Sequence, residues 1–410
     1  MKLSTELQIG KAGEHLVCFD LIKQGYNAFL ADQGLPYDVL VDLGGEIKRI
    51  QVKSCSSPTS HPHSKDVYRF YLRRGKGGFR AIKAKETDYV AFVFMDKMEA
   101  KYFFSSEISS ENGNIKQCID FKTDGSGKYS GNFKFRTKEM INTPFNYTGS
   151  KFKLLEQILP HFDYSKPNFI DLFTGGGSVY ANVAAKYEKV LCNDVIKDLI
   201  DIHKELLFNK DRFVEEVKSL CVSKTDKAGF HSLRDNYNQN KSPAKLFALM
   251  LCCTNNMMRF NKSFLFNSTF GERTFNSSTE KKIDGFCAGL EAYKNKIEFC
   301  CDSFENIWPH NPKDTFYYLD PPYLASEAGY NSYWSNSLEE KLFNYCIKIH
   351  ENGGTFALSG IAGKHKENEE APLITELMKR FNTVKITHDY KQVARNKDEI
   401  RGQEVLIRNY

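Results

Sequence analysis

The stretch NFIDLFTGGGSVYANVAAK, residues 168–186, constrains the fold more than any other part of the chain. An apolar strand ends at Asp171, three consecutive glycines follow, and a helix is predicted from Ser178. A strand that turns through glycine directly into a helix is half of a βαβ unit. A parallel sheet with helical crossovers is therefore expected. Glycines at such a junction also let a ligand approach the backbone closely. VLCNDV then places Asp194 at the end of the next strand, about 20 residues after the turn, where a carboxylate can accept hydrogen bonds from ribose hydroxyls. The combination fits any nucleoside cofactor, NAD included, and a merely tight strand-to-helix turn would read alike.

FYYLDPPYL, residues 316–324, narrows the choice. A strand of aromatics runs into Asp320-Pro321-Pro322-Tyr323. Each proline fixes its own φ and holds the residue before it extended, so the strand end is a rigid, shaped loop. A carboxylate and a proline carbonyl there can both accept hydrogen bonds from one exocyclic amine, which directs the amine lone pair toward an incoming methyl group. The adjacent tyrosine can stack on a base. A base inside a duplex must first be flipped out to reach such a loop.

Together, DLFTGGGS and DPPY resemble the N6-adenine DNA methyltransferases, and the order of parts is similar to their Dam-like alpha group. NYTGSKFKLLEQILPHF, residues 146–162, resembles that group's opening cofactor segment. CTNNMMRFNKSFLFNSTFGERTFN, residues 253–276, resembles its DNA-contacting hairpin, and EVLIRNY its closing strand. The resemblance implies a Rossmann-like domain with a helical and hairpin target-recognition insertion at about residues 200–300, S-adenosylmethionine as cofactor and double-stranded DNA as partner. It implies that Tyr147, Lys151, Asp171, Phe173, Gly175 and Gly177 line the cofactor. Asp194 would take the ribose, and Asp302 and Phe304 would face the adenine ring. Asp320, Pro321, Pro322 and Tyr323 would hold the target adenine. Arg259, Asn261 and Asn267 are the hairpin's candidates for DNA contact; Arg259 suits either a guanine edge or a phosphate. Thr254-Asn255-Asn256-Met257-Met258 departs from the pattern of GATC readers, so no target sequence is inferred.

Before this region the chain reads differently. KAGEHLVCFDLIKQGYNAFLA predicts an amphipathic helix with Glu14 near its start, apolar positions at Leu16, Val17, Phe19, Leu21 and Ile22, and a stop at Gly25. LPYDVLVDL and EIKRIQVKSC predict two strands joined at Gly44-Gly45, a hairpin that brings Asp38 near Gln51 and Lys53. Carboxylates with an amide oxygen suit Mg²⁺, and an adjacent lysine can orient a hydroxide toward phosphate. The set Glu14, Asp38, Gln51 and Lys53 resembles the PD-(D/E)XK nuclease fold, in particular its intron-encoded and Mrr-like members. That resemblance implies a small α/β domain with Glu14, Asp38 and Gln51 as metal ligands. A spacer separates Pro36 from Asp38, and Gln51 stands where an acid is usual. An inactive fold kept for DNA contact fits the same residues.

Charge agrees with a polyanionic partner. Of a formal +6, residues 1–140 carry +5, from 22 Lys and Arg against 17 Asp and Glu. The surplus is densest from Lys65 to Lys85, where cations alternate with Tyr and Phe that can stack on bases. The polar, Gly-, Ser- and Lys-rich segment 111–139, with its turn signal Asp124-Gly125, reads as a hairpin or connector leading into a linker. The expected domains are thus 1–140, nuclease-like, and 141–410, methyltransferase. No apolar run approaches the ~18 residues of a membrane span, and residues 1–16 lack the apolar core of a signal peptide. Eleven cysteines without a CxxC pair predict reduced thiols and a cytoplasmic setting, with no obligate protein partner.

Overall fold

The computed structural model describes residues 5–61, 64–74, 80–109, 113–123, 135–136, 139–261, 263–322, 334–362, 364–365, 369–370, 372–386 and 403–410. The chain forms two compact units, one of residues 1–139 and the other beginning at Met140.

In the first unit, helix α1 (Thr5–Lys23) precedes β1 (Asn27–Leu30), β2 (Val39–Asp42), β3 (Ile47–Cys55), β4 (Tyr89–Phe94) and β5 (Glu99–Phe104). These five strands lie in that order in one sheet, antiparallel except for the parallel pair β3 and β4. The β4 sequence YVAFVF is buried at every position, as a strand covered on both faces should be. Its Ala91 and Val93 join Leu16, Val17 and Leu21 of α1 on one side. Its Val90, Phe92 and Phe94 meet Tyr68, Phe70 and Phe121 of a second, three-stranded sheet on the other. Helix α1 is less broadly apolar in use than its sequence suggests. Phe19 and Ile22 are exposed, and the buried stripe is Gly13, Leu16, Val17 and Leu21. Part of the segment read as a connector is structural. Cys118–Lys122 pairs antiparallel with Ser64–Tyr71 and buries Ile119 and Phe121, because its apolar residues alternate at the period of a strand. Asp124-Gly125 lies outside the described residues.

The second unit is built on seven strands: β6 (Asn168–Asp171), β7 (Lys189–Asn193), β8 (Ile297–Cys300), β9 (Thr315–Leu319), β10 (Thr355–Ala362), β11 (Asn382–Lys385) and β12 (Gln403–Arg408). Their order across the sheet is β8-β7-β6-β9-β10-β12-β11. The first five run parallel, and β12 is antiparallel to both of its neighbours. This is the doubly wound arrangement of a Rossmann-like methyltransferase domain. Strand order reverses at β6, so the crevice at the carboxyl ends of β6 and β9 is the place where such a sheet binds ligands. Helix α2 (Ser178–Val183) follows the glycine turn. Between the adjacent strands β7 and β8 the chain inserts α3 (Lys197–Phe208), α4 (Lys210–Leu220), α5 (Lys227–Gln239), α6 (Pro243–Cys252) and α7 (Ser277–Leu290), where one crossover helix would suffice to join them. Among the described residues no helix is long and apolar enough to cross a membrane. All eleven cysteines are free thiols.

Candidate functional site

The strand ends in the second unit converge on a group of carboxylates. Asp171 closes β6, paired in register with Tyr318 of β9, and Asp320 follows two residues later. Asp171 is almost wholly buried; its Oδ2 accepts from the Tyr180 N–H at 3.3 Å. Its Oδ1 is buried with no hydrogen-bond partner among the described residues. Burial, with the Asp320 and Asp194 charges adding to it, pushes the Asp171 carboxyl up to about 8. An orphaned, buried acid is costly unless a ligand completes it, and a cation is the complement.

The glycine turn is shaped by what packs on it. Gly175 and Gly177 adopt φ of +50° and +78°. A Cβ at Gly175 would stand 2.7 Å from the Tyr147 ring, and one at Gly177 would stand 2.6 Å from Tyr180 and 2.7 Å from His203. Asp194 ties the turn to β7: its Oδ2 accepts from the Gly175 N–H and its Oδ1 from the Ile196 N–H, both at 3.0 Å. Burial nevertheless leaves its carboxyl above the usual range, since those amides offset only part of the desolvation. Beneath the turn His203 is fully buried, 2.9 Å from the Gly175 carbonyl through Nε2 and 3.1 Å from the Tyr180 hydroxyl through Nδ1. Burial lowers this imidazole to about 4, so it is neutral at pH 7.

Lys151 reaches the same place from the opening segment. Its Nζ lies 2.8 Å from Asp320 Oδ1 and 3.7 Å from Glu404 Oε1 of β12. Burial alone would lower this ammonium, but Asp320 and Glu404 hold it above its ordinary value. Lys151 thus joins the segment 146–162 to the DPPY loop. Pro321 is buried and Pro322 half-buried; Tyr323 lies outside the described residues.

At the end of β8, Asp302 is held by Asn193, which donates through Nδ2 to its carbonyl and accepts its N–H at Oδ1, both at 3.1 Å. The Asp302 carboxylate is exposed and accepts from the Ser303 N–H at 2.7 Å and the Asn306 amide at 2.9 Å. Phe304 is buried, its ring 5.7 Å from Phe173 and 6.0 Å from Trp334, so the apolar wall beside the strand ends is aromatic.

In the segment 253–276, Phe260 and Phe266 form an antiparallel bridge and both are buried. Arg259 and Asn267 lie beside them on the exposed side, with the Asn267 N–H donating to the Arg259 carbonyl at 3.0 Å. These two neighbours face outward together. Asn261 is used differently: its Oδ1 accepts from the Ser263 and Leu265 N–H groups at 2.9 and 3.1 Å and so builds the turn.

The first unit gathers its own set. Glu14, Asp38, Gln51 and Lys53 line one cavity of about 430 Å³, together with Glu6 and Ser54. The β2–β3 hairpin turns at Gly44 and Gly45, φ +82° and +108°, whose N–H groups donate to Asp42 Oδ1. The Asp38 N–H donates to the Ile50 carbonyl, which sets Asp38 beside Gln51. Asp38 Oδ2 accepts from the Val52 N–H at 2.7 Å and from the Gln51 side-chain amide. Burial raises the Asp38 carboxyl, with the Val52 amide and Lys53 opposing it. Glu14 pairs with Lys11 at 2.6 Å. Among the described residues no cluster of three His, Cys, Asp or Glu is placed to hold a metal.

Sequence reasoning did not single out His203, Glu404 or Lys11. Glu404 left a signal, a carboxylate heading the apolar run Val405-Leu406-Ile407. His203 and Lys11 left none, since each matters only through neighbours that folding supplies.

The chain is 33% identical over 295 residues to the type II methyltransferase M.FokI of Planomicrobium okeanokoites, across 68% of this chain and 44% of that protein. It is 30% identical over 295 residues to the modification methylase StsI of Streptococcus sanguinis, across 67% and 44%. The chain thus matches less than half the length of these relatives. A solved rRNA methylase from Streptococcus thermophilus is alike only faintly, at TM-score 0.27 and 12% identity over 67% of this chain and 99% of that one. The model of the D12 class N6 adenine-specific DNA methyltransferases matches residues 147–392, which span the glycine turn, the recognition hairpin and the DPPY loop; the chain belongs to that family.

Proposed function

We propose that the chain methylates N6 of adenine in double-stranded DNA, using S-adenosylmethionine, within a restriction-modification setting. The observation that carries this reading is the placement of Asp320 and Pro321 at the end of β9, across the crevice from Asp171 and the glycine turn. The residues present suit the cofactor: Asp171 offers a buried, unsatisfied carboxylate oxygen to a cationic ligand, and Asp194 would take a ribose with the acceptor capacity that the Gly175 and Ile196 amides leave it. S-adenosylmethionine, when bound, supplies a methyl group activated on a cationic sulfur.

The chain's own work is positional. Asp320 and the Pro321 carbonyl accept the two hydrogens of the amine, which turns its lone pair toward the methyl group. The ammonium of Lys151 fixes the Asp320 carboxylate. The aromatic wall of Phe173, Phe304 and Trp334 excludes water on one side. Tyr323 would stack on the flipped base. No general base is needed, because the amine can lose its proton after transfer; the rate gain comes from orientation. Arg259 and Asn267 meet DNA from the recognition hairpin.

A second activity is favoured by one observation, the gathering of Glu14, Asp38, Gln51 and Lys53 around a single cavity. In this reading Glu14 and Asp38, with the Gln51 side-chain oxygen, would hold Mg²⁺, water completing its shell. The ion would supply Lewis acidity toward a phosphodiester, and Lys53 would orient the attacking water. Two carboxylates make a weak site, which suits an ion that keeps most of its water. The same cavity without a metal would leave the unit a DNA-binding attachment, its basic surplus adding affinity.

One experiment separates these readings: unmethylated duplex DNA with S-adenosylmethionine and Mg²⁺, given to the native chain, Asp320→Ala and Lys53→Ala. Asp320→Ala should lower methylation at least about 10³-fold, the scale on which lost orientation acts, far more than it weakens the cofactor. Methylation left intact would overturn the first reading. Cutting by the native chain that Lys53→Ala removes would establish the second; no cutting alongside intact methylation would reduce that unit to DNA binding.

A further inference from the structure

Glu404 is buried to 2% exposure on β12, followed by the buried Val405, Leu406 and Ile407. A carboxylate there costs several kcal/mol in desolvation, which an apolar residue on the same strand would avoid. Stability alone therefore does not explain it. Its side chain approaches Lys151, whose Nζ is 3.7 Å away and lies 2.8 Å from Asp320. One ammonium thus serves two carboxylates. A Lys151–Asp320 pair by itself would be neutral; with Glu404 the group keeps one net negative charge.

We infer that Glu404 is a positioning residue for methyl transfer, sharing Lys151 with Asp320 so that the group facing the transferred methyl retains a net negative charge. The inference rests on the methyltransferase reading. In the transfer, the N6 lone pair forms the new N–C bond and the electrons of the S–C bond stay on sulfur. Positive charge passes from sulfur to N6, which then gives a proton to solvent. A net negative group beside that path favours both the cationic cofactor and the cationic nitrogen. A neutral pair would favour neither.

The test compares two ligands by calorimetry. Sinefungin carries an ammonium group where the methyl sulfonium sits, and S-adenosylhomocysteine is neutral there. Glu404→Gln keeps shape and removes charge. It should reduce the preference for sinefungin over S-adenosylhomocysteine about tenfold, the size expected of one charge acting across several ångströms of protein. Affinity for S-adenosylhomocysteine should stay within about twofold, and single-turnover methylation at saturating cofactor should fall by a similar tenfold. Glu404→Asp keeps the charge and should retain most of the preference, and it poses the same question should Glu404→Gln not fold. Equal weakening of both ligands would make Glu404 structural only and overturn the inference, as would a preference lost in Glu404→Asp. A native chain that binds neither ligand would overturn the methyltransferase reading, and this inference with it. One that binds both with a preference indifferent to Glu404→Gln would overturn the role of Glu404 alone.

Discussion

The two carboxylate sites are held by different means. Around the glycine turn nearly every polar atom is committed within the fold: Asp194 to the amides of Gly175 and Ile196, His203 to Gly175 and Tyr180, Lys151 to Asp320 and Glu404. Among the described residues Asp171 Oδ1 is an exception, buried without a hydrogen-bond partner. In the first unit Gln51 is buried while Glu14, Asp38 and Lys53 are half-buried, and Glu14 is engaged by Lys11, a surface ion pair of small worth. A site set by backbone amides and packed rings is specified before ligand arrives. A site lined by long side chains on one helix and one hairpin acquires its final geometry with its ligand. The first kind should therefore respond to substitution in stability and binding together, and the second mainly in function.

The largest effect should come from Gly177→Ala. At φ +78° the new Cβ costs about 1–2 kcal/mol in backbone strain, and crowding against Tyr180 and His203 adds about 1–3 kcal/mol. Urea unfolding should show that loss, and cofactor binding should vanish in the same variant. Stability within about 0.5 kcal/mol of native would mean that the turn is not packed as described.

Next in size is a pH effect that belongs to His203. Its folded value of about 4 lies below the ordinary 6.5, so the unfolded chain takes up a proton that the folded chain refuses. The folded state is thus favoured above pH 6.5 and loses that advantage as pH falls toward 4, by up to roughly 3 kcal/mol. Asp171, whose carboxyl is raised to about 8, has the opposite slope between its unfolded value and 8, so the native profile alone mixes the two. The stability gap between the native chain and His203→Asn isolates the imidazole. It should narrow from pH 6.5 to 4, and a gap indifferent to pH would place His203 in contact with solvent.

Much of this was legible before folding, for unequal reasons. The strand ending at Asp171, the helix from Ser178 and the position of Asp194 follow from local chemistry, since glycine and the adjacent apolar run leave few other conformations. The hairpin at Gly44-Gly45 and the approach of Asp38 to Gln51 follow likewise from turn and register. What local sequence could not give is which apolar residues are used. Phe19 and Ile22 stay exposed, because they lie on the side of α1 turned away from the Gly13, Leu16, Val17 and Leu21 stripe that meets the sheet. The Lys151–Asp320–Glu404 group joins three segments more than 80 residues apart, and no spacing rule reaches that far.

The smallest change sharpens the comparison most. Gly10 sits inside α1 between Glu6 and Glu14 and lines the cavity, and a Cβ there would meet nothing within 4 Å. Gly13, one turn on, differs: a Cβ would stand 1.9 Å from Ser54 Oγ and 3.1 Å from its Cβ, so the Ser54 side chain on β3 would have to turn away. Gly10 has no such packing reason, and as a mid-helix glycine it costs about 0.5–1 kcal/mol relative to alanine. Gly10→Ala should therefore stabilise the chain by about that amount in urea unfolding. If a phosphodiester must pass close to the helix to reach Glu14 and Asp38, the same methyl group should impair cutting while methylation is unchanged. Greater stability with cutting undiminished would mean that the approach to the cavity does not run over Gly10. A loss of stability would mean that the open space is filled by a neighbour, and that the first unit is as tightly specified as the second.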